Sequence, residues 1–201
     1  KNNTIMSKFV HLGDEKKTFV KKMFNDISKK YDLFNTLSSF GIDRYWRKKL
    51  TDILNLNKTD KMLDVATGTG DVVFSIYKKY KSKCIGVDIA EEMIKLAIIK
   101  QKTKNISTDY ISFTEGDAEC LKFSDHTFDA LTISFGFRNL SDYDKALEEF
   151  YRVLKPDGKI VILEFSEPRS KVFSPLFRFY FNKILPLIGS MLARKDAFLY
   201  L

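Results

Sequence analysis

A short glycine-rich segment with a carboxylate at each end follows the first strongly apolar run of the chain. It spans residues 64–71, reads DVATGTGD, and has Gly68, Thr69 and Gly70 at its centre. Glycines in such a turn let the backbone bend tightly and approach a ligand closely. Val73 stands where a pyrophosphate-binding dinucleotide loop carries its third glycine. The missing glycine disfavours a dinucleotide. The carboxylates at the two ends of the segment favour a cationic nucleoside, such as one with a sulfonium group.

Further acidic residues follow the next two predicted strands. Asp88 closes an apolar run eighteen residues after Gly70, where a carboxylate can accept hydrogen bonds from both hydroxyls of a ribose. The alternative role of Asp88 is to cap the helix that begins after it. Asp117 follows the third strand and can accept the amino group of an adenine, with the Ala118 amide nearby. A plain turn explains Asp117 equally well.

Alternating strands and helices must position these residues. Apolar runs predict buried strands, because continuous β-branched runs are typical of strands covered on both faces. The predicted strands are 62–66, 84–88, 111–113, 129–134 and 159–165. Helical periodicity links Met93, Leu96 and Ala97, and then Tyr143, Ala146, Leu147, Phe150 and Leu154. Residues 156–158 predict a turn before the last strand. The alternation predicts βαβ units and an α/β fold with a parallel sheet.

The first 60 residues have a different pattern from the rest. They predict two helices, at about 14–30 and 43–55, joined by a link at 38–41. We interpret residues 1–60 as a helical cap in front of a Rossmann-like core that spans 61–201, within a single domain. The end of the chain, 168–201, is again predicted to be helical and is rich in aromatic residues.

Composition and charge limit the classes of partner. The chain has 201 residues and a net charge of +8. Much of the positive charge lies at 16–30 and 44–49; it fits a solvated helix face, nucleic acid, anionic lipid or an acidic substrate. We expect no nucleic-acid partner, because no nucleic-acid-binding motif accompanies the charge. The two cysteines and two histidines match no metal-ligand spacing, so no metal is expected. A cytoplasmic location is predicted, since no signal peptide and no apolar run of about 20 residues is found.

Three longer stretches narrow the function. They are Tyr31–Asn35 with its continuation to Trp46, Ile133–Asn139, and Arg152–Ser166. Together with the nucleoside motifs, they resemble the quinone-ring C-methyltransferases of menaquinone and ubiquinone biosynthesis, the UbiE/MenG/COQ5 family, over roughly residues 16–201. The resemblance implies a class I S-adenosylmethionine-dependent methyltransferase fold and methyl transfer to a ring carbon of a prenylated quinol, without a metal.

The resemblance also implies roles for individual residues. S-adenosylmethionine is expected to contact Thr69, Asp88, Ile89, Asp117, Ala118 and Ser134, while Asp64, Gly68 and Gly70 shape its pocket. Arg138 and Asn139 are expected at the catalytic rim, where Arg138 would stabilise the developing quinolate. A structural salt bridge is the alternative role for Arg138. Tyr31 and Asp32 are expected to orient the ring hydroxyls.

Some positions depart from the family pattern. Asp43 stands where the family usually has His, Phe34 where it has Met, and Asp157 where it has Gly. A role that needs an imidazole at position 43 is therefore not expected. The family normally continues past Leu201 with a helix and final antiparallel strands, so these strands are expected to be missing.

The prenyl tail of such a substrate suggests a membrane partner. The apolar, aromatic stretch 173–188 predicts a segment that lies in a bilayer interface at the inner face of the membrane, or that packs against the sheet and the cap. A homodimer is also among the expected assemblies. Demethylmenaquinol is favoured over a benzoquinol because no mitochondrial transit peptide is recognised.

Three other functions are compatible with the nucleoside motifs. They are a methyltransferase with another small-molecule acceptor, an inactive scaffold with the methyltransferase fold, and a nicotinamide enzyme. Asp88, Asp117 and Arg138 argue against the scaffold, and the missing third glycine argues against the nicotinamide enzyme.

Overall fold

The computed structural model describes residues 13–166, 170 and 173–184. Its helices are α1 (Gly13–Ser38), α2 (Ile42–Leu54), α3 (Asp71–Tyr80), α4 (Glu91–Thr103), α5 (Tyr143–Val153) and α6 (Phe173–Phe179). Its strands are β1 (Lys61–Val65), β2 (Lys83–Asp88), β3 (Ile111–Glu115), β4 (Phe128–Ser134) and β5 (Leu154–Leu163). A short 3₁₀ turn, Phe137–Asn139, follows β4, and a π-helical turn, Tyr180–Ile184, follows α6. Of the predicted helical end of the chain at 168–201, residues 168, 169, 171, 172 and 185–201 lie outside the described part.

The five strands form one parallel sheet in the order β3-β2-β1-β4-β5. The strand order reverses at β1, which pairs with β2 on one side and β4 on the other. Open parallel sheets bind ligands in the crevice at the carboxyl ends of the strands beside such a reversal. The predicted α/β architecture is confirmed, and the functional residues after β1, β2 and β4 meet at one edge of the sheet.

Apolar side chains cover both faces of the central strands. Met62 of β1 packs with α2, α3 and α4, whereas Leu63 and Val65 pack with α5 on the opposite face. α2 contributes Leu50 and Leu54 to the first of these clusters, so it is joined to the sheet by the same core. This two-sided burial explains the continuous apolar runs in the sequence.

Three predicted details were wrong. α1 continues to Ser38, past the predicted end near 30, because Phe34 is buried and keeps the last turns attached to the core. Two residues of the apolar periodicity predicted for α5, Tyr143 and Leu147, are 44% and 40% exposed. The core face of α5 is formed by Ala146, Phe150 and Val153. β5 was predicted as a buried strand. It lies at the edge of the described sheet, and its outward-facing Ile160 and Ile162 stay exposed.

The predicted turn at 156–158 interrupts the pairing of β5. Leu154 pairs with Phe128 and Lys159 pairs with Ala130, so the four residues between them bulge out of the ladder. Asp157 takes a left-handed backbone conformation there. The strand therefore begins earlier than predicted and contains the turn.

Candidate active site

The turn after β1 is closed by a glycine that no other residue could replace without a rearrangement. Gly70 has φ 84°, and a Cβ atom there would lie 2.6 Å from the Phe113 ring. The Thr67 amide donates to the Val87 carbonyl oxygen at 3.0 Å, which ties the turn to β2. The turn thus leads directly into the N-terminus of α3, close to the carboxyl end of β2.

Asp64 lies beneath this turn and is buried. Its two carboxylate oxygens accept hydrogen bonds from Thr132 Oγ1 at 2.5 Å and Thr67 Oγ1 at 2.7 Å. Burial raises the pKa of Asp64 to about 7, although both hydroxyl donors act in the opposite direction. Asp64 therefore fixes the backbone of the turn from below.

Asp88 holds the backbone on both sides of the crevice. It accepts the amide of Ala90, the residue just before α4, at 2.9 Å, and the Gly68 amide at 2.8 Å. The residue at the N-cap of α4 is Ala90 and not Asp88, and the ribose-binding role of Asp88 stays a prediction. Burial raises the pKa of Asp88 to about 6, against the effect of the backbone donors. Its carboxylate also faces an open cleft.

That cleft, called here the polar cleft, opens beside the glycine turn. Its walls bring together most of the predicted cofactor-binding residues. They are Gly68, Asp88, Ile89, Asp117, Ala118 and Ser134. Asp64 and Thr69 line a smaller recess next to it, on the other side of the glycine turn.

Helix α1 covers the mouth of the polar cleft. Lys17 donates to Asp117 at 2.8 Å and lies 2.6 Å from Glu119. Lys16 donates to the carbonyl oxygens of Arg138 and Leu140, at 2.9 and 2.6 Å. Neither lysine is predicted as a site residue from the sequence, where both belong to the basic cluster at 16–30.

A second space, called here the apolar cavity, adjoins the polar cleft. It has a volume of about 300 Å³ and lies between the end of α1, α2, the segments after β4 and β5, and α6. Aromatic side chains form most of its walls. They are Tyr31, Phe34, Phe40, Trp46, Phe135, Phe165, Phe177 and Tyr180. Such a cavity suits a flat, apolar ring.

Tyr31 and Phe135 line both spaces. Phe135 has a left-handed backbone with φ 57°, and a Cβ atom at the following Gly136 would overlap Ala66. This strained turn after β4 aims the Phe135 ring between the two spaces, where it stacks on Phe165 with 4.6 Å between ring centroids. The Tyr31 hydroxyl is desolvated, which raises its pKa, while a hydrogen bond with Asn35 and the charge of Arg138 lower it.

Arg138 lines the apolar cavity and contacts Glu164 and Phe165. Its guanidinium pairs with Glu164, and its carbon Cζ lies 5.6 Å above the centre of the Phe165 ring. The backbone amide of Arg138 also donates to Glu164 at 3.2 Å. Glu164 therefore holds both the guanidinium and the backbone amide of Arg138. It was not predicted as a site residue, although it lies within the stretch Arg152–Ser166.

The other two predicted catalytic residues lie on the side of the polar cleft and the glycine turn. Asn139 is buried and lines the polar cleft. Asp32 accepts from Thr69 Oγ1 at 2.6 Å and pairs with Lys100 at 2.6 Å, so it faces the glycine turn and not the apolar cavity. Lys100 also pairs with Asp71 at 2.9 Å. Tyr31 therefore lines all three spaces, whereas Arg138 lines the apolar cavity, Asn139 the polar cleft and Asp32 the recess beside the glycine turn.

Comparison with known proteins identifies the family. The model of one protein family, described as the ubiE/COQ5 methyltransferase family, matches residues 10–201. The chain belongs to this family.

Individual relatives agree with this assignment. The chain is 46% identical over 189 residues to the ubiquinone/menaquinone biosynthesis C-methyltransferase UbiE of Citrifermentans bemidjiense, covering 93% of the chain and 80% of that protein. It is 41% identical over 172 residues to the demethylmenaquinone methyltransferase of Thermus thermophilus, covering 85% and 77%. Among solved structures, an S-adenosylmethionine-dependent methyltransferase from Aquifex aeolicus has a TM-score of 0.56 at 26% identity, covering 62% of this chain and 66% of that one. The chain is an S-adenosylmethionine-dependent methyltransferase of class I fold.

The residues of the polar cleft fit S-adenosylmethionine as the methyl donor. Ser134 Oγ, Asn139 Oδ1 and Ser141 Oγ are buried without a hydrogen-bond partner among the described residues, and all three belong to residues that line the cleft. Buried polar atoms are normally paired, so these three atoms are expected to form hydrogen bonds with a polar ligand in the cleft. In the described residues, no cluster of three His, Cys, Asp or Glu side chains could hold a metal ion.

Proposed function

We propose that this enzyme transfers a methyl group from S-adenosylmethionine to a ring carbon of a prenylated quinol, a step of menaquinone and ubiquinone biosynthesis. The observation that supports this most directly is that the polar cleft and the apolar cavity adjoin and share Tyr31 and Phe135. A ring in the apolar cavity would therefore lie next to a methyl group held in the cleft. The names of the two relatives above support the same class of acceptor.

The donor is assigned to the polar cleft. Asp88 would accept hydrogen bonds from the ribose hydroxyls, and Asp117 would accept one from the adenine amino group beside Lys17. Ile89 and Ala118 would pack on the adenine, and Ser134 would donate to the methionine part. Thr69, at the turn shaped by Gly68 and Gly70, would position the methionine carboxylate through its backbone amide.

The acceptor ring is assigned to the apolar cavity. The quinol first loses the proton of the hydroxyl beside the reacting carbon to solvent, and the resulting quinolate attacks, through that ring carbon, the electrophilic methyl group that S-adenosylmethionine supplies as its C–S bond breaks. The ring carbon then loses its proton to solvent and the oxygen regains one, so that the ring becomes aromatic again. The chain must orient the ring and stabilise the negative charge on the oxygen of the quinolate. Arg138 would stabilise this charge, because a guanidinium stays protonated, and Tyr31 would orient the hydroxyl. Asp32 and Asn139 would position the glycine turn and the segment after β4.

Demethylmenaquinol is the acceptor that we favour. The Thermus thermophilus relative is named a demethylmenaquinone methyltransferase, whereas the name of the Citrifermentans bemidjiense relative includes both ubiquinone and menaquinone. A two-ring naphthoquinol would bury more apolar area against the aromatic walls than a benzoquinol. Methyl-transfer assays with demethylmenaquinol and a methoxy-polyprenyl benzoquinol of equal tail length test this. The expected result is a higher kcat/KM for the naphthoquinol, and the reverse order would contradict the preference.

The affinity for S-adenosylmethionine is expected to rise with pH through about pH 6. The ribose hydroxyls would bind the ionised form of Asp88, whose pKa in the free protein is about 6. Below that pH the carboxyl must first lose a proton, so the dissociation constant should increase about tenfold for each unit that the pH falls. Calorimetric titrations between pH 5 and 8 would measure this. Asp88→Asn should abolish the step near pH 6, and a wild-type affinity that is flat over this range would contradict the assignment.

We also propose peripheral contact with a membrane, through a surface at the corner between α1 and α2. Exposed apolar residues meet basic residues there, with Phe40 as the most exposed at 77%. The apolar residues are Leu33, Leu37, Phe40, Ile42 and Tyr45, and the basic ones are Lys29, Lys30, Arg44, Lys48 and Lys49. None of the described helices has the length and apolar character required to cross a bilayer.

Flotation with anionic vesicles tests the membrane surface. The double variant Leu33→Glu/Leu37→Glu should reduce the vesicle-bound fraction by about tenfold or more, because two apolar anchors are lost and two charges repel the lipid. Leu147→Glu changes an exposed leucine of α5 outside this surface; it serves as the control and should bind as the wild type does. Equal binding by all three proteins would exclude this surface.

A further inference from the structure

We propose that Asp43 is a substrate-binding residue of the apolar cavity, where its carboxylate accepts a hydrogen bond from the ring hydroxyl that lies farther from the reacting carbon. This proposal rests on the proposed function, since it assumes a quinol in that cavity. Asp43 belongs to α2, so it would contact the substrate from an element other than the glycine turn and the segment after β4.

The position of Asp43 is unusual for a carboxylate. It is the second residue of α2, lines the apolar cavity, and is only 4% exposed. Moving a carboxylate out of water is costly unless partners compensate, and an acid in the first turn of a helix can interact with the helix while it stays in water. The burial of Asp43 inside a mostly aromatic wall is compensated by its partners Ser39 and Arg47, and it places a carboxylate where a ligand in the apolar cavity can reach it.

The partners of Asp43 hold its carboxylate in one orientation and leave it able to accept more. Ser39 Oγ donates to Oδ1 at 3.0 Å, and the Arg47 guanidinium pairs with Oδ2. These two hydrogen bonds use about half of the lone pairs that a carboxylate offers. Arg47 also lies 3.3 Å from Asp71, the first residue of α3, so the acid is fixed relative to the glycine turn.

The charges around the cavity complement the two hydroxyls of a quinol. Among the described residues, the charged side chains that line the cavity are Asp43, Arg47 and Arg138. The two guanidiniums can only donate, so they suit an oxygen that becomes negative. The second hydroxyl of the quinol stays protonated during the reaction and needs an acceptor. Asp43 is the anionic acceptor in this set.

A matched pair of variants and a matched pair of acceptors test the proposal. The acceptors are the quinol and its monomethyl ether, masked at the hydroxyl farther from the reacting carbon, so that the activating hydroxyl is unchanged. Wild type should prefer the quinol by about 10- to 100-fold in kcat/KM, the range for one hydrogen bond to a charged group. Asp43→Asn should lose most of this preference and keep the wild-type affinity for S-adenosylmethionine. Asp52→Asn, the same change at an exposed position of α2, should keep the preference.

The results of these assays distinguish the role of Asp43 from the proposed function. If Asp43→Asn slows both acceptors by the same factor, the residue only supports the helix and the proposal is overturned. If Asp43→Asn does not fold, Ser39→Ala replaces it, and the preference should then fall by about threefold as one neutral hydrogen bond to the acid is lost. An unchanged preference in Ser39→Ala would overturn the proposal. A wild-type enzyme that does not methylate the quinol at all overturns the proposed function as well, whereas an unchanged ratio overturns only the role of Asp43.

Discussion

Replacing Arg138 with alanine is expected to lower kcat for the quinol by about 10²- to 10³-fold, the range seen when one preorganised donor to a developing negative charge is removed. The dissociation constant of S-adenosylmethionine should change little, because the Arg138 side chain lines the apolar cavity and not the polar cleft. Single-turnover methyl transfer and calorimetry on the same protein would measure the two quantities. Arg138→Lys should recover only part of the rate, since an ammonium lacks the planar fork of donors.

The ion pair with Glu164 provides the control for Arg138. If the arginine acts only as a structural salt bridge, Glu164→Gln should cost as much activity as Arg138→Ala, and both should lower the melting temperature together. If Arg138 stabilises the ring oxygen, Glu164→Gln keeps the cation in the cavity and should retain far more activity. An Arg138→Ala enzyme with near wild-type kcat would contradict the catalytic role.

Replacing Asp88 with alanine is expected to weaken the binding of S-adenosylmethionine by at least about 100-fold. Hydrogen bonds to a charged group contribute about 1.5–3 kcal/mol each, and two ribose hydroxyls lose their acceptor at once. The change also frees the Gly68 amide, so the glycine turn keeps the bond from Thr67 to Val87 but loses a second tie to β2. Calorimetry would measure the affinity directly.

A surface acid serves as the control for Asp88. Asp109 lies before β3, at the opposite end of the sheet from the polar cleft, and is exposed. Asp109→Asn should bind S-adenosylmethionine as the wild type does. Wild-type affinity in Asp88→Ala would show that the carboxylate only holds the backbone before α4 and at the glycine turn.

The sheet and the glycine turn could be predicted because they depend on residues that are close together in the sequence. Met62, Leu63 and Val65 form a continuous apolar run, and only a strand covered on both faces buries such a run. The position of Asp88 followed from the same pattern, because the last residue of a parallel strand must reach the crevice. β5 misled the prediction, since its apolar run is as strong but its outward face stays exposed.

The long-range contacts of the site could not be predicted in the same way. Lys17, Arg47 and Lys100 reach it from α1, α2 and α4, and each stands among other basic residues on its helix. Helical periodicity predicts which face is apolar, but it does not predict which lysine meets which carboxylate across the crevice. Asp43 differs from the family pattern, and its burial depends on how α2 packs beside the aromatic wall, which helical periodicity does not predict.

One measurement tests the central claim most directly. The purified chain would be incubated under reducing conditions with demethylmenaquinol of short prenyl tail and with S-adenosylmethionine whose methyl group carries three deuterium atoms. The account predicts a product in which that methyl group is attached to a ring carbon, with both hydroxyls free and one ring hydrogen lost, as seen by mass spectrometry and NMR. A methyl group on oxygen, or no transfer by a folded protein that binds S-adenosylmethionine, would contradict it.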